Sequence, residues 1–160
     1  MTICVVSEAM EALTIKEILD VTGGRILFSS CEDDTVIRNI STDSRMVKKG
    51  DLFVALRGEH FDGHDFIPDA FVKGAKAVLV SKDIRVNKPI IKVKDTLRAL
   101  GDIAAYYRSK FKIVVVGVTG SNGKTTTKNM IAGLLSAKFS AIYSHASFNN
   151  FIGVPLTVFR

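Results

Sequence analysis

Residues 113–126 read IVVVGVTGSNGKTT, and this stretch decides the fold class. Its first six residues form a continuous apolar run, which predicts a central parallel strand covered on both faces. A glycine-containing turn comes next, and a helical stretch runs from Lys124 to Lys138. A strand, a glycine loop and a helix in this order are the context that a phosphate-binding loop requires. The sequence therefore predicts an α/β fold with a parallel sheet.

The loop matches the general pattern G-x-x-x-x-G-K-[ST] only in its second half, because Val118 stands where the pattern has its first glycine. Two glycines let successive N–H groups turn toward phosphate oxygens, and the start of the following helix adds about half a positive charge. Lys124 would reach the β- and γ-phosphates of ATP, and the Thr125 hydroxyl would ligate Mg²⁺. The alternative is a plain glycine turn between a strand and a helix. Lys124 is the predicted catalytic residue, Thr125 the predicted metal ligand, and the predicted ATP site is Thr119, Gly120, Ser121, Asn122, Gly123, Lys124, Thr125 and Thr126.

The residues before 110 predict a smaller α/β region. Thr14 and Glu17 fit a capping box that starts a helix, and Gly23 ends it. Brief β-branched or aromatic-rich runs predict strands at 25–29, 35–40, 51–56, 77–80 and 90–93. A helix is predicted from Asp65 to Gly74. Asp95 caps a longer one, whose apolar residues recur at spacings of three and four: Leu97, Leu100, Ile103, Ala104 and Tyr107. We predict two domains, 1–110 and 111–160.

Composition narrows the class of protein. The net charge of +6 and the isoelectric point of about 9.4 suit an anionic partner, or a surface that is merely basic. No surface motif of interleaved aromatic and basic residues predicts nucleic-acid binding. Cys4 and Cys31 are far apart, which argues against a zinc site and a disulfide scaffold. The N-terminus lacks a basic leader and no run of about 18 apolar residues occurs, so we expect a cytoplasmic protein without a membrane span.

The loop at 119–126 resembles the T-G-x-N-G-K-T phosphate loop of the Mur ligase family. Residues 147–157 read SFNNFIGVPLT and resemble the N-x-N-N-x-I-G-x-P-L-T segment of members that add D-alanyl-D-alanine to UDP-N-acetylmuramoyl-tripeptide. Ser147 replaces a frequent asparagine there, and Ala146 a usual glycine. The resemblance implies that Asn149 and Asn150 hold substrate or Mg²⁺ ligands beside the γ-phosphate. The alternative is an asparagine pair that only forms the loop before a Gly-x-Pro turn.

A third stretch resembles the UDP-binding domain of the same family, which carries S-D-S-R, G-D-L-F-x-A and G-x-x-x-D-G. The matching segments are STDSR at 41–45, GDLFVAL at 50–56 and GEHFDGH at 58–64. Arg45 could form a paired hydrogen bond to an anionic oxygen; the alternative is a structural ion pair with Asp43, and Asp62-Gly63 could be a plain turn. The residues implied to bind the UDP substrate are Thr42, Ser44, Arg45, Gly58, Glu59, His60 and Phe61.

His60 and His64 are four residues apart, a spacing that could place both on one helical face. No Glu or Cys ligand accompanies them at helical spacing, and Asp62-Gly63 favours a turn, so we predict two polar loop histidines rather than a zinc site. His145 is predicted to be a surface residue.

The resemblance also implies a reaction. In the family, ATP phosphorylates the carboxylate of the UDP-muramoyl-peptide, and the incoming amine attacks the acyl phosphate. It implies an ATP- and Mg²⁺-dependent carbon–nitrogen ligase of peptidoglycan precursor synthesis, with UDP-N-acetylmuramoyl-tripeptide and D-alanyl-D-alanine as substrates and a monomeric full-length enzyme. We expect residues 1–160 to be a truncated N-terminal portion: a small UDP-binding α/β domain followed by the first strand, loop and helix of the ATPase domain. Such a portion would not complete the ligation.

Two other functions are compatible with the sequence. The chain could be a binding module for a UDP-sugar or a nucleotide, without catalysis. It could also be a ligase like the folylpolyglutamate synthases, which share the phosphate loop but lack the domain that carries STDSR.

Overall fold

The computed structural model describes residues 2–4, 10–27, 34–144 and 150–160, and for residues 2–4 the backbone alone. The chain forms two compact units, residues 11–103 and residues 104–160 together with 1–10. The predicted domain boundary at residue 110 stays a prediction.

The described residues form ten short strands and five α-helices. The strands are β1 (Thr2–Cys4), β2 (Leu13–Thr14), β3 (Arg25–Ile26), β4 (Val36–Ile37), β5 (Ile40–Ser41), β6 (Leu52–Val54), β7 (Ala77–Val80), β8 (Ile90–Lys92), β9 (Val116–Gly117) and β10 (Ile142–Tyr143). The helices are α1 (Ile15–Thr22), α2 (Ile67–Val72), α3 (Thr96–Ser109), α4 (Lys124–Ser136) and α5 (Gly153–Val158). A 3-10 turn, Gly63–Phe66, leads into α2. None of these helices is long and apolar enough to cross a membrane.

The unit of residues 11–103 is built on a five-stranded sheet in the order β3-β8-β7-β6-β5. Strands β5 to β8 are parallel, and β3 runs antiparallel to β8 at one edge. Strands β2 and β4 form a separate antiparallel pair. Parallel strands begin at one edge of a sheet and end at the other. The loops that follow β5, β6 and β7 therefore share one edge, and the segments that precede the four parallel strands share the opposite edge.

Apolar side chains fill the core of this unit. Every residue of β6 and β7 is buried, which confirms the predicted strand at 77–80 and shortens the one predicted at 51–56. Helix α2 adds two buried residues, Ile67 and Ala70. Full burial of one large aliphatic or aromatic side chain stabilises the fold by about 1.5–3 kcal/mol. The central cluster consists of Val47, Phe53, Ala55, Ile67, Ala70, Val78, Val80 and Ile90.

Side chains that cap helices lie where the sequence predicts them. The backbone N–H of Glu17 donates to the Thr14 hydroxyl at 3.2 Å, and the N–H of Thr14 donates to the Glu17 carboxylate at 2.7 Å. This reciprocal pair confirms the capping box, and α1 ends at Gly23. The Asp95 carboxylate accepts from the N–H groups of Leu97 and Arg98 at 2.8 and 3.1 Å.

The predicted apolar face of α3 is confirmed at four positions and wrong at one. Leu100, Ile103, Ala104 and Tyr107 are buried, whereas Leu97 is 38% exposed. Burial of the apolar face begins at Ala99 and Leu100, so the first apolar position of the pattern remains at the surface.

The unit of residues 104–160 and 1–10 contains a three-stranded sheet in the order β10-β1-β9. Strand β1 lies in the middle and is antiparallel to both neighbours. The Tyr107 ring packs edge-on against Phe111 and Phe159, with ring centroids 5.1 and 5.7 Å away. Phe159 and Ala132 are buried in the same unit.

The prediction of a buried parallel strand over 113–118 is wrong in its extent and pairing. Only Val116–Gly117 forms a strand, and its partner β1 is antiparallel. Val114 is 73% exposed and Val115 is 40% exposed. An apolar run is buried on both faces only where other elements pack on each face. These two valines lie outside any strand and are not covered in this way. The order of strand, glycine loop and helix is nevertheless as predicted.

Candidate functional site

The loop 118–123 connects β9 to α4, the context predicted for phosphate binding. Gly120 has φ = 147° and Gly123 has φ = 74°, conformations that residues with a side chain rarely adopt. The first helical bond of α4 runs from the N–H of Thr127 to the carbonyl of Gly123, at 2.9 Å. The N–H groups of residues 124–126 therefore have no partner within the helix, and the positive end of α4 favours an anion there.

Lys124 lies over this loop. Its ammonium group donates to the carbonyl oxygens of Gly120 and Ser121, the latter at 3.1 Å. An ammonium group has three donors, so the same group can also reach a phosphate oxygen. The side chain is thus held beside the exposed N–H groups at the start of α4.

The hydroxyl residues of the loop are open to solvent. Thr119, Ser121, Thr125 and Thr126 are exposed, as is Asn122. The donor set of backbone N–H groups, one ammonium and exposed hydroxyls fits a nucleoside triphosphate. The described residues hold no group of three or more His, Cys, Asp or Glu that could bind a metal ion by themselves. The role of Thr125 as a Mg²⁺ ligand stays a prediction.

Asn150 uses its side chain in the backbone turn before α5. Its carboxamide oxygen accepts from the N–H groups of Ile152 and Gly153, at 3.2 and 2.7 Å. This is the loop-forming alternative for Asn150, and its substrate-binding role stays a prediction. Asn149, Ser147, Ala146 and His145 lie outside the described residues, as does Cys31.

In the other unit, the predicted UDP-binding residues lie at the carboxyl edge of the parallel sheet. Thr42, Ser44 and Arg45 follow β5, and residues 58–61 follow β6. Ligands of open α/β sheets bind at this edge, because the strand ends and the loops there form a crevice. The topology thus brings the two predicted segments to one edge.

Arg45 is paired with Asp43. Its guanidinium Nε and Nη2 donate to the carboxylate at 3.0 and 2.7 Å, and its backbone N–H donates at 2.9 Å. These hydrogen bonds lower the pKa of Asp43 to about 2. The structural ion pair, the alternative for this residue, is therefore present. The Arg45 side chain is 83% exposed, so the rest of its guanidinium faces solvent.

The tip of the loop after β6 is open. Gly58, Glu59 and His60 are exposed, and Phe61 is 74% exposed. The N–H of Gly58 donates to the carbonyl of Phe61 at 2.8 Å, which closes a tight turn. An exposed aromatic ring beside exposed polar residues can stack on a planar base.

His64 is not the polar loop histidine that the sequence predicts. Its side chain is 3% exposed, and its Nδ1 lies 2.5 Å from a carboxylate oxygen of Asp62. The N–H of Ser81 donates to Nε2 at 3.1 Å, so the ring proton lies on Nδ1 and is donated to Asp62. His60 is exposed, so the two histidines do not share a site.

Asp62 is the centre of this network. Lys82 donates to its second carboxylate oxygen, and the backbone N–H of His64 donates to the first at 3.0 Å. These bonds hold the pKa of Asp62 well below its usual value. The network fixes the base of the loop that carries residues 58–61. In the sequence, the motif D-G-H at 62–64 indicates this network only by placing Asp62 and His64 two residues apart.

Two family models match the chain. One, described as the Mur ligase family catalytic domain, matches residues 36–108, and the other, the Mur ligase middle domain, matches residues 118–160. Curated relatives named UDP-N-acetylmuramoyl-tripeptide–D-alanyl-D-alanine ligase are similar over most of the chain. The Escherichia coli K12 protein is 40% identical over 94% of this chain, and the Bacillus subtilis 168 protein is 42% identical over 91%.

The chain spans 32% of the length of each of these two relatives. Solved structures show the same fold. A crystal structure of MurF from Acinetobacter baumannii has a TM-score of 0.83 at 32% identity, covering 95% of this chain and 34% of that one. A MurF ligase from Thermotoga maritima in complex with ADP has a TM-score of 0.66 at 33% identity, covering 77% and 29%. With two successive family models and these relatives in agreement, the chain belongs to the Mur ligase family.

Proposed function

We propose that this chain provides the nucleotide- and UDP-substrate-binding parts of a cytoplasmic ATP-dependent ligase of peptidoglycan precursor synthesis. The ligase would join D-alanyl-D-alanine to UDP-N-acetylmuramoyl-tripeptide. The observation that carries the proposal is the loop 118–123, which presents Lys124 and the N–H groups of α4 on one exposed surface. The similarity of the chain to a structure determined in complex with ADP supports the proposed nucleotide binding.

In the proposed reaction these residues form no covalent bond to the substrates. The terminal phosphoryl group of ATP passes to the substrate carboxylate and ADP leaves; the amine then attacks the acyl carbon and phosphate leaves. Transfer of a phosphoryl group is accelerated mainly by positioning and by neutralising charge. Lys124 and the N–H groups of residues 124–126 would position the β- and γ-phosphates and neutralise part of their charge. A Mg²⁺ ion held by Thr125 would neutralise further phosphate charge.

The other unit would hold the UDP part of the substrate. We assign this role to the carboxyl edge of the parallel sheet, to Thr42, Ser44 and Arg45 after β5 and to the exposed turn 58–61 after β6. Asn149 and Asn150 are proposed to lie near the γ-phosphate. We do not expect residues 1–160 by themselves to complete the ligation, because they span 32% of the length of the Escherichia coli relative.

Calorimetric titration of the purified chain tests the nucleotide site. ATP with Mg²⁺ should bind, and Lys124→Ala should weaken that binding at least tenfold because it removes the ammonium that meets the β- and γ-phosphates. Lys138→Ala, at an exposed lysine just beyond the end of α4, is the matched control and should bind as the parent does. Unchanged affinity in Lys124→Ala would refute the assignment.

Separate titrations distinguish the alternatives. Binding of both UDP-N-acetylmuramoyl-tripeptide and ATP is expected. UDP binding without any response to ATP would instead indicate a sugar-nucleotide module, and folate binding without a response to UDP would indicate a folylpolyglutamate synthase-like ligase. A coupled phosphate-release assay with all substrates should show no sustained turnover.

A further inference from the structure

Each of the four parallel strands in the unit of residues 11–103 is preceded by a cation. Arg38 lies two residues before β5, Lys49 three before β6, Lys76 one before β7 and Lys88 two before β8. Parallel strands begin at the same edge of a sheet. The topology therefore gathers four positive charges, which are far apart in sequence, along the amino edge.

These four residues line one groove of about 910 Å³, which we call the amino-edge groove. All four are exposed, and no ion pair links them to a carboxylate among the described residues. No Asp or Glu of the described chain lines the groove. Lys73 also lines it, but its ammonium donates to the carbonyl of Arg45 at 2.9 Å. Among the described residues, every charged side chain that lines the groove is therefore positive.

The floor of the groove is partly apolar. Val36 and Val72 are 43% and 87% exposed, and Phe71 and Pro89 are half-buried beside them. Two backbone N–H groups along the floor are bonded to other backbone groups: the N–H of Gly50 donates to the carbonyl of Gly74 at 3.0 Å, and the N–H of Lys76 donates to the carbonyl of Asp51 at 2.8 Å. These two N–H groups are therefore not free to bind a compact phosphate.

The amino-edge groove lies at the opposite edge of the sheet from the residues assigned to UDP. Thr42, Ser44, Arg45 and the turn 58–61 follow their strands, whereas the four cations precede theirs. Strand direction thus separates the four cations from these residues, whereas Lys73, which also lines the groove, donates to the Arg45 carbonyl.

We propose that the amino-edge groove binds an extended acidic segment of a partner protein, one that alternates carboxylates with apolar residues. Neighbouring strands are about 4.8 Å apart, so a row of four strands spans about 14 Å, the length of about five extended residues. Carboxylates of such a segment meet the cations, and its apolar side chains cover Val36, Val72 and Phe71. The exposed apolar floor favours a peptide over a nucleic acid, whose sugar-phosphate backbone would leave that floor uncovered.

Fluorescence anisotropy with a labelled peptide of four glutamates and two leucines tests this. Lys49→Glu/Lys76→Glu should weaken binding at least tenfold, because two attractions become repulsions. Lys16→Glu/Lys94→Glu changes two exposed lysines outside the groove and should alter affinity less than twofold. Each exchange removes two charge units, so both variants carry +2 instead of +6. Affinity for the acidic peptide should also fall as salt rises.

Four results would overturn the proposal. The first is no binding of the peptide to the parent chain at millimolar concentration, and the second is equal weakening of peptide binding in both variants. The third is equal affinity for a peptide with glutamine in place of glutamate. The fourth is an oligodeoxythymidine of equal charge that binds more tightly than the acidic peptide and loses affinity in Lys49→Glu/Lys76→Glu. All variants should give the far-ultraviolet circular dichroism of the parent, because the changed side chains are exposed.

Discussion

The ammonium group of Lys128 donates a hydrogen bond to the backbone carbonyl of Ser144 in the interior of the unit that carries the phosphate loop. Lys128 is only 1% exposed, and its ammonium lies 5.6 Å from the centre of the Tyr143 ring. Residues 124 and 128 are one helical turn apart on α4. Helix α4 thus contacts the phosphate loop through Lys124 at its start and Ser144, directly after β10, through Lys128.

We predict that Lys128→Met destabilises this unit by about 1–3 kcal/mol, because methionine keeps the buried apolar stem but leaves the Ser144 carbonyl without its donor. Urea unfolding followed by circular dichroism measures the loss, and amide hydrogen exchange at residues 142–144 localises it. Lys112→Met, at an exposed lysine, should change stability by less than about 0.5 kcal/mol. Equal stability of the two variants would show that the bond to Ser144 contributes nothing.

The Asp62 network predicts a dependence of stability on pH. Lys82 and the backbone and ring of His64 all donate to the ionised carboxylate, so the pKa of Asp62 is lowered in the folded state from its usual value of 3.8. Between the folded and unfolded pKa values the unfolded chain binds more protons. The stabilisation is therefore complete above the unfolded pKa and is lost as the pH falls toward the folded one.

Asp62→Asn should accordingly be less stable than the parent at pH 7, and the difference should narrow as the pH falls from about 4 toward 2. Thermal unfolding at several pH values measures this difference. Asp20→Asn, at an exposed carboxylate of α1 outside any ion pair of the described residues, is the control and should show no comparable narrowing. A gap that is constant with pH would contradict the role of the ionised carboxylate.

The capping box of α1 gives a third prediction. Thr14→Ala should lower the free energy of unfolding by about 1 kcal/mol, because the N–H of Glu17 loses the hydroxyl that accepts from it at 3.2 Å. Thr14→Ser keeps that hydroxyl and should retain most of the stability. Chemical denaturation of the three proteins side by side is the measurement, and a serine variant as weak as the alanine one would assign the effect to the lost methyl group instead.

Local patterns were sufficient to predict much of this fold. Thr14 with Glu17, Asp95 and the four residues of β7 act through neighbours in sequence, so their periodicity and chemistry predict the observed structure. The order of strand, loop and helix around Lys124 is local in the same sense.

Features that depend on distant partners could not be predicted in this way. His64 is buried, and its ring accepts from the N–H of Ser81, which follows β7 and is 17 residues away in sequence. The valines at 114 and 115 are exposed because burial of an apolar run depends on what packs over it. The parallel direction of the four strands brings together the cations of the amino-edge groove, Arg38, Lys49, Lys76 and Lys88. The sequence alone does not reveal this strand direction.

Gly63 is placed where the chain leaves no room for a side chain. A Cβ atom there would lie 2.6 Å from the carbonyl oxygen and 2.7 Å from the nitrogen of Leu56, and both are backbone atoms. Gly63→Ala should therefore destabilise the unit of residues 11–103 by about 1–3 kcal/mol, because the backbone must shift. At Gly101, inside α3, an added Cβ would meet no described atom within 4 Å beyond the backbone of its own helix, so Gly101→Ala should stabilise by up to about 1 kcal/mol. Urea unfolding of both variants measures the change in the free energy of unfolding, which should be negative for Gly63→Ala and positive for Gly101→Ala. A Gly63→Ala protein as stable as the parent would mean that the turn after Asp62 can move without cost.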